Sequence, residues 1–359
     1  ASDVYKRQTY YILIVLFLIG GMIGYLKLAE KWSIIDKPNS RSSHNYITKR
    51  GGGVLYLLGF IIYLYFSEFN NQFIITTAFL LGTIGFIDDI KNLNFKIKLL
   101  LQVIILSVFI ISQNYLLLEW YVIFLIFLFI LGSINTYNFM DGINGLTILY
   151  SLSFLISFLL INNYFIDFTD NNLLLILIIC NLIIGVFNVR KQAICFLGDV
   201  GPISMGFIFS ILCVTLIIKS NDLSPLILFM IYGIDSGWTI VQRVIAKENI
   251  FLPHRKHLYQ LLVNEYKLSH LLVASIYFSI QALINITWLL NYEKDLSTII
   301  LISIFGVFSF IYLFLFLHIY INTQAHRHTH TYIHTRIDTY IHTYTHYTYT
   351  YTHKHRHCY

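Results

Sequence analysis

Asn138-Phe139-Met140-Asp141-Gly142-Ile143-Asn144-Gly145-Leu146 sets an acid, two amides and two glycines between two apolar runs of about 15 residues each. Lipid cannot satisfy the backbone of such a turn, so it belongs at the surface of a bilayer and not within it. Charge held this close to hydrocarbon is costly, and the usual reason for keeping it is function. The stretch therefore implies a bundle of membrane helices whose polar turns are the working parts.

The rest of the chain agrees. Of its 359 residues, 57% are hydrophobic and only 12% charged, a balance that excludes an ordinary soluble domain. Aromatic residues make up 17%, as expected where Tyr and Trp collect at bilayer surfaces. The four cysteines, Cys180, Cys195, Cys213 and Cys358, form no CxxC pair and no disulfide framework. Apolar segments run over 10–28, 51–66, 73–87, 97–111, 120–134, 144–161, 172–187, 201–218, 224–240, 270–290 and 297–319. The expected fold is an all-α polytopic integral membrane protein with about 11 transmembrane helices, several of them near the short limit for crossing a bilayer.

Loop charge orients the bundle. Lys31, Lys37, Arg41, Lys49 and Arg50, then Lys91 and Lys96, then Arg190 and Lys191, then Arg243, Lys247, Arg255, Lys256 and Lys267 all fall in odd-numbered loops. The intervening loops hold Lys219 and Lys294 beside acids such as Glu68, Glu119, Asp167 and Asp170. Positive charge stays inside, so the odd loops are expected to be cytoplasmic and the N-terminus outside. Residues 1–8 are read as a non-native extension, because Lys6 and Arg7 then lie on the wrong side. Residues 9–320 form the membrane domain, and 321–359 a Thr/His/Tyr repeat that cannot build a core.

Five polar motifs share the cytoplasmic side in this topology. The first, Asp36-Lys37-Pro38-Asn39-Ser40-Arg41-Ser42-Ser43-His44, leads into Lys49-Arg50-Gly51-Gly52-Gly53, whose cations and free glycine amides suit a phosphate. The second, Gly85-Phe86-Ile87-Asp88-Asp89-Ile90-Lys91, has adjacent carboxylates that need a cation beside them, with Lys96, Lys98 and Gln102 just beyond. In the third, Asn138, Asp141 and Asn144 recur every three residues and would share one face of a helical turn. The fourth, Phe196-Leu197-Gly198-Asp199-Val200-Gly201, sets an acid between glycines. The fifth begins with Asp235, Thr239 and Arg243 on one helical stripe and runs into His254-Arg255-Lys256-His257-Leu258-Tyr259-Gln260. Two histidines three apart could bind metal, but the Arg and Lys between them make an anion the better guest. Each motif alone also reads as an ordinary solvated loop. Together, acids that hold Mg²⁺ and cations that neutralise phosphate oxygens suit phosphoryl transfer.

In this order the motifs resemble those of the polyprenyl-phosphate N-acetylhexosamine-1-phosphate transferases, the family 4 glycosyltransferases of UDP-sugar:undecaprenyl-phosphate type, over about residues 10–317. The resemblance implies transfer of a sugar-1-phosphate from a UDP-N-acetylhexosamine-type donor to undecaprenyl phosphate, with release of UMP and a requirement for Mg²⁺ or Mn²⁺. It makes Asp199 the metal-binding acid, assisted by Asp88. Asp88, Asp89 and Asp141 become catalytic acids, and His254 and His257 catalytic members of the basic loop. Asp36, Arg41, His44, Gly52, Asn138, Asn144, Arg255 and Lys256 become substrate-binding residues. The partners implied are the donor, the lipid acceptor and the bilayer of a bacterial inner membrane, with no nucleic acid; a homodimer is compatible. The His-Arg-x-His-x-Tyr-Gln form looks like the branch that initiates O-antigen or capsule repeats, and unlike the peptidoglycan-precursor branch. Two positions depart from the family pattern: Lys49 stands where a Pro is usual, and Pro202 where a Ser is often found.

Two other classes fit less well. An intramembrane prenyltransferase would repeat a DxxxD-type motif on two helices, which Asp88-Asp89-Ile90-Lys91 does not do. A transporter would carry ionisable residues near the membrane midplane, whereas the acids here sit at helix ends.

Overall fold

The computed structural model describes residues 2–38, 43–69, 71–113, 118–250, 252, 254–292 and 299–316. Arg41 and the repeat at 321–359 lie outside the described residues. The chain divides into two compact units, Ala1–Ser309 and Phe310–Tyr359, and the fold and site belong to the first.

The helices follow the apolar segments. They are α1 (Ser2–Lys31), α2 (Val54–Phe66), α3 (Gln72–Lys91), α4 (Phe95–Ser112), α5 (Trp120–Met140), α6 (Leu146–Tyr164) and α7 (Asn171–Asn188). After them come α8 (Val200–Ser220), a 3-10 turn (Ser224–Phe229) continuous with α9 (Met230–Ile245), α10 (Leu258–Asn264) and α11 (His270–Leu289). A last apolar helix, α12, covers Ile299–Phe316. Among the described residues, ten helices are long and apolar enough to cross a membrane, the 3-10 turn and α9 counting as one. The 13-residue α2 is shorter and brings the total to the eleven expected. At 1.5 Å per residue it spans roughly 20 Å, less than the ~30 Å of hydrocarbon in a typical bilayer.

Helix ends are set by local chemistry. Asn94 caps α4 by accepting from the Lys96 amide at 2.9 Å, and Asp170 caps α7 by accepting from Asn172 at 2.8 Å. Asn92 closes α3 in the left-handed region, at φ 49°, a conformation Asn tolerates.

The centre of the bundle is α8, which is buried along nearly its whole length and packs most extensively against α5 and α3. Small residues permit this closeness. A Cβ on Gly85 of α3 would come within 2.7 Å of the Asp199 backbone, so this glycine lets the acid-bearing end of α3 touch the start of α8. By contrast, α1, α4 and α5 expose Leu13, Phe17, Leu100, Val108 and Leu125, as lipid-facing helices do. Inside the bundle, neutral polar groups tie α6 and α11 together, and the Ile231 and Tyr232 amides of α9 join them through Gln281 and Tyr150. The Tyr150 hydroxyl donates to Gln281 Oε1 at 2.8 Å, Gln281 Nε2 donates to Asn285 at 2.7 Å, and Asn285 Nδ2 donates to the Ser157 hydroxyl at 3.0 Å.

The all-helical expectation misses one small feature. Ile35–Asp36 and Thr48–Lys49 form a two-stranded antiparallel ladder, and Lys49 also bridges to Cys195. This patch staples the first polar loop to the fourth.

Candidate active site

Four of the five motifs line one cavity of about 280 Å³ at one end of the bundle. Its walls include Asp36, His44 and Arg50 from the first motif, Asn138, Asp141 and Asn144 from the third, Asp199 from the fourth and Gln260 from the fifth. The second motif stands directly behind Asp199.

That wall is a ladder of acids and cations. Arg50 Nη2 lies 2.6 Å from Asp89 Oδ1 and 3.6 Å from Asp199 Oδ1. Lys98, in the first turn of α4, donates to Asp88 at 3.0 Å and to the other Asp199 oxygen. Asn138 Nδ2 reaches the same Asp199 oxygen at 3.4 Å. Asp199 is thus the acid that both cations share. Burial would raise its carboxyl, but the Lys98 and Arg50 charges outweigh burial and hold it below the usual carboxylate range.

The paired acids have separate jobs, as expected for neighbours about 100° apart on a helix. The Asp89 side chain is fully buried and accepts from the Asp199 amide at 2.8 Å and the Val200 amide at 3.4 Å. A carboxylate there caps the positive end of α8. Gly198, at φ +68°, is required beside it, since a Cβ would fall 2.2 Å from Asp89 Oδ2. Asp88 is more exposed and accepts from the Leu93 amide at 2.6 Å as well as from Lys98.

Asp141 follows the last residue of α5 and is only partly exposed in the cavity. Burial pushes its carboxyl up to about 7 and the Asp199 charge acts in the same direction, while the Thr147 hydroxyl and Arg50 oppose them. An acid poised near neutrality in a pocket is suited to holding or releasing a proton.

Several expectations need correcting. Asn138 and Asn144 do not share a face, because α5 stops at Met140 and Gly145 turns the chain at φ +83°. Asn144 is instead buried, its amide donating to the Arg190 carbonyl at 2.9 Å and the Tyr46 hydroxyl at 3.1 Å. Two of the three glycine amides of the first motif are not free for phosphate: Gly52 donates to the Phe196 carbonyl at 2.9 Å and Gly53 to that of Leu197 at 2.8 Å. They join the first loop to the fourth. His44 packs edge-on to Phe196 at 4.8 Å and lies 3.8 Å from Asp36, while burial pulls its ring below the usual histidine value.

The two positions that depart from the family pattern are both accommodated. Lys49 pairs with Glu30 at 2.8 Å, and Pro202 sits in the first turn of α8, where the missing N–H is tolerated.

The fifth motif begins in α9 as expected, and its loop runs on into the short helix α10. Arg243 at the end of α9 gathers the carbonyls of Asn249, Ile250 and Leu252. Lys256 pairs with Glu248. His257 is buried and lies 3.2 Å from Asp235 Oδ1, while Tyr259 and Gln260 open α10. Burial, with His257 and the Arg243 and Lys256 cations, pulls His254 down to about 4, so its ring is neutral at pH 7. His254, Arg255, Lys256 and His257 do not line the cavity, whose wall takes Gln260 from this motif and His270 from the start of α11.

Arg50 and Lys98, named in the first two motifs without an individual role, complete the site with His270, which no motif contains. The signal for Lys98 is a lysine one turn inside an apolar helix, only 6% exposed, an arrangement rarely kept without a partner.

Comparison with known proteins agrees with the geometry. The glycosyl transferase family 4 profile matches residues 71–217, which carry the second, third and fourth motifs. The chain is 26% identical over 265 residues to the probable undecaprenyl-phosphate N-acetylglucosaminyl 1-phosphate transferase of Bacillus subtilis, covering 68% of this chain and 73% of that protein. Over residues 71–217 the chain is thus similar to glycosyl transferase family 4. It is also 27% identical to the undecaprenyl-phosphate alpha-N-acetylglucosaminyl 1-phosphate transferase of Thermotoga maritima, over 64% of this chain and 72% of that one. It is 26% identical to the phospho-N-acetylmuramoyl-pentapeptide-transferase of Orientia tsutsugamushi, over 71% and 86%. Proteins with both kinds of name therefore match this chain at similar identity.

Proposed function

We propose that this protein transfers a sugar-1-phosphate from a UDP-N-acetylhexosamine to undecaprenyl phosphate, releasing UMP, as the first membrane step of cell-surface polysaccharide synthesis such as O-antigen or capsule. The observation that carries this reading is Asp199, shared by two cations at the wall of a polar cavity at the end of an apolar bundle. An acceptor phosphate oxygen attacks the β-phosphorus of the donor. The bond from that phosphorus to the bridging oxygen breaks, and UMP leaves carrying the oxygen.

The residues fit a Mg²⁺ or Mn²⁺ ion. Asp88 and Asp199 already converge on one cation, the Lys98 ammonium, and carboxylate oxygens are the hard donors such an ion prefers. Among the described residues no three His, Cys, Asp or Glu side chains converge as a closed metal cage. An open pair of carboxylates, completed by substrate phosphates and water, is the usual arrangement for Mg²⁺. When bound, the ion supplies charge that neutralises the diphosphate.

The chain's own residues do the rest. Arg50 and Lys98 can turn from the acids to phosphate oxygens, and Asn138 keeps Asp199 oriented. Asp89 anchors α8. Asp141 holds or releases a proton on the acceptor side, although a phosphate is already ionised near pH 7 and positioning contributes more. Loop charge supports a cytoplasmic active site in a bacterial inner membrane, with the N-terminus outside.

The test is purified protein with undecaprenyl phosphate, Mg²⁺ and a panel of UDP-sugars, following UMP. Release that needs lipid, metal and Asp199 supports the reading. Release independent of lipid, or none from folded protein with any donor, contradicts it.

A further inference from the structure

Asp235 lies in α9, is 1% exposed, and is absent from the cavity wall, yet it is the most heavily bonded acid in the fifth motif. Its Oδ1 accepts from the Leu258 amide at 3.0 Å and faces His257 Nδ1 at 3.2 Å. Its Oδ2 accepts from the Tyr277 hydroxyl of α11 at 2.6 Å and from the Tyr259 amide at 3.4 Å. Thr239, one turn along α9, adds a hydroxyl at 3.4 Å. An ionised carboxylate only accepts, so His257 carries its proton on Nδ1 in this contact. One side chain therefore fixes the start of α10 against both α9 and α11.

What α10 then holds is the catalytic turn. The Tyr259 hydroxyl donates to the Phe139 carbonyl at 2.9 Å. Its ring fills the space beside Gly142, where a Cβ would approach the hydroxyl to 2.2 Å. The next residue, Gln260, lines the cavity. A continuous set of contacts runs from Asp235 through the first turn of α10 to the Asn138–Asp141 turn.

We propose that Asp235, braced by Tyr277, is a positioning residue that acts through α10 and Tyr259 to hold the Asn138–Asp141 turn in its reactive geometry. The inference rests on the transferase reading for its kinetic consequence, but not for its structural one. A purely architectural acid would set only stability. A positioning acid sets turnover in protein that is still folded.

The experiment compares wild type, Asp235→Asn, Tyr259→Phe and the double variant, all full-length in detergent, by UMP release and by hydrogen exchange. Asn keeps the shape and one acceptor but removes the charge. For Asp235→Asn we expect kcat/KM to fall about 30-fold, carried by kcat, as for loss of a residue that orients a reacting group. Placed on Tyr259→Phe, the same change should cost less than about threefold more, since both act along one path. Exchange in peptides covering 138–146 and 254–264 should quicken together. If Asp235→Asn does not fold, Tyr277→Phe, which keeps the charge and loses one hydrogen bond, takes its place and should show the same pattern more weakly. Turnover within threefold of wild type, losses that multiply in the double variant, or unchanged exchange in 138–146 would each overturn the proposal. Wild type that releases no UMP would instead overturn the reaction, while the exchange result still decides the positioning.

Discussion

Two acid-centred regions lie close together in this protein and are neutralised in opposite ways. Around Asp88, Asp89 and Asp199 the counter-charges are Arg50 and Lys98, cationic groups on long side chains. Around Asp235 the partners include two backbone amides, the Tyr277 and Thr239 hydroxyls and a histidine ring, all fixed by packing. In the proposed reaction the first set is exchanged for a metal ion or handed to a phosphate. The second can only be kept or broken. An acid balanced by displaceable cations is suited to chemistry, and an acid balanced by fixed donors is suited to holding shape.

The comparison can be broken most directly at the first region. Asp199→Asn should lower turnover at least about 1,000-fold, since it removes the group both cations share. Its melting temperature should stay near wild type, because Arg50 keeps Asp89 and Lys98 keeps Asp88. Turnover near normal would remove Asp199 from the chemistry.

Asp141→Asn should come next, with a loss of about 100-fold if its proton is used. Its stability gives an independent check. The folded carboxyl is raised to about 7, above its unfolded value, so the folded state binds the proton more tightly. Stability is then full below the unfolded pKa and is lost as pH rises toward 7. The Asn variant should match wild type near pH 3, gain on it through pH 4 to 7, and keep a constant advantage above that. A melting-temperature difference flat across pH would contradict the raised carboxyl.

Lys98→Met should cost about 30-fold in kcat, somewhat less than the loss of a single oxyanion-stabilising donor. It should also lower the Mg²⁺ concentration needed for half-maximal activity, because the competing ammonium between Asp88 and Asp199 is gone. A higher metal requirement would mean that Lys98 supports the ion and does not compete with it. The smallest effect belongs to the second region: Tyr277→Phe removes one of several hydrogen bonds to the Asp235 carboxylate, leaves the others in place, and should cost about fivefold. A loss as large as that at Lys98 would erase the distinction between the two regions.

Much of this could be read from the residues alone, for physical reasons. Apolar runs interrupted by polar turns define membrane helices, and the alternation of basic and acidic loops sends the motifs to one end. What could not be read is which atoms each polar group would choose. Asn144 stands three residues from Asp141, a helical spacing, but the helix ends one residue before that acid. Two glycine amides of the first motif look available until the Phe196 and Leu197 carbonyls arrive from a distant loop. Lys98 resembles any basic residue at a helix start; only the packing of α4 beside α3 shows it between two acids. Asp235 is visible as one member of a helical stripe, but its partners come from α10 and α11, far along the chain.

The central claim is that a phosphate moves with the sugar. Donor carrying ³²P only at the β-position, incubated with protein, undecaprenyl phosphate and Mg²⁺, separates that claim from its rival. We expect the label in the lipid fraction and unlabelled UMP in water. Label recovered in water-soluble UDP, with sugar alone on the lipid, would mean that the bond broken is the glycosidic one and that the acid-and-cation wall serves a different reaction.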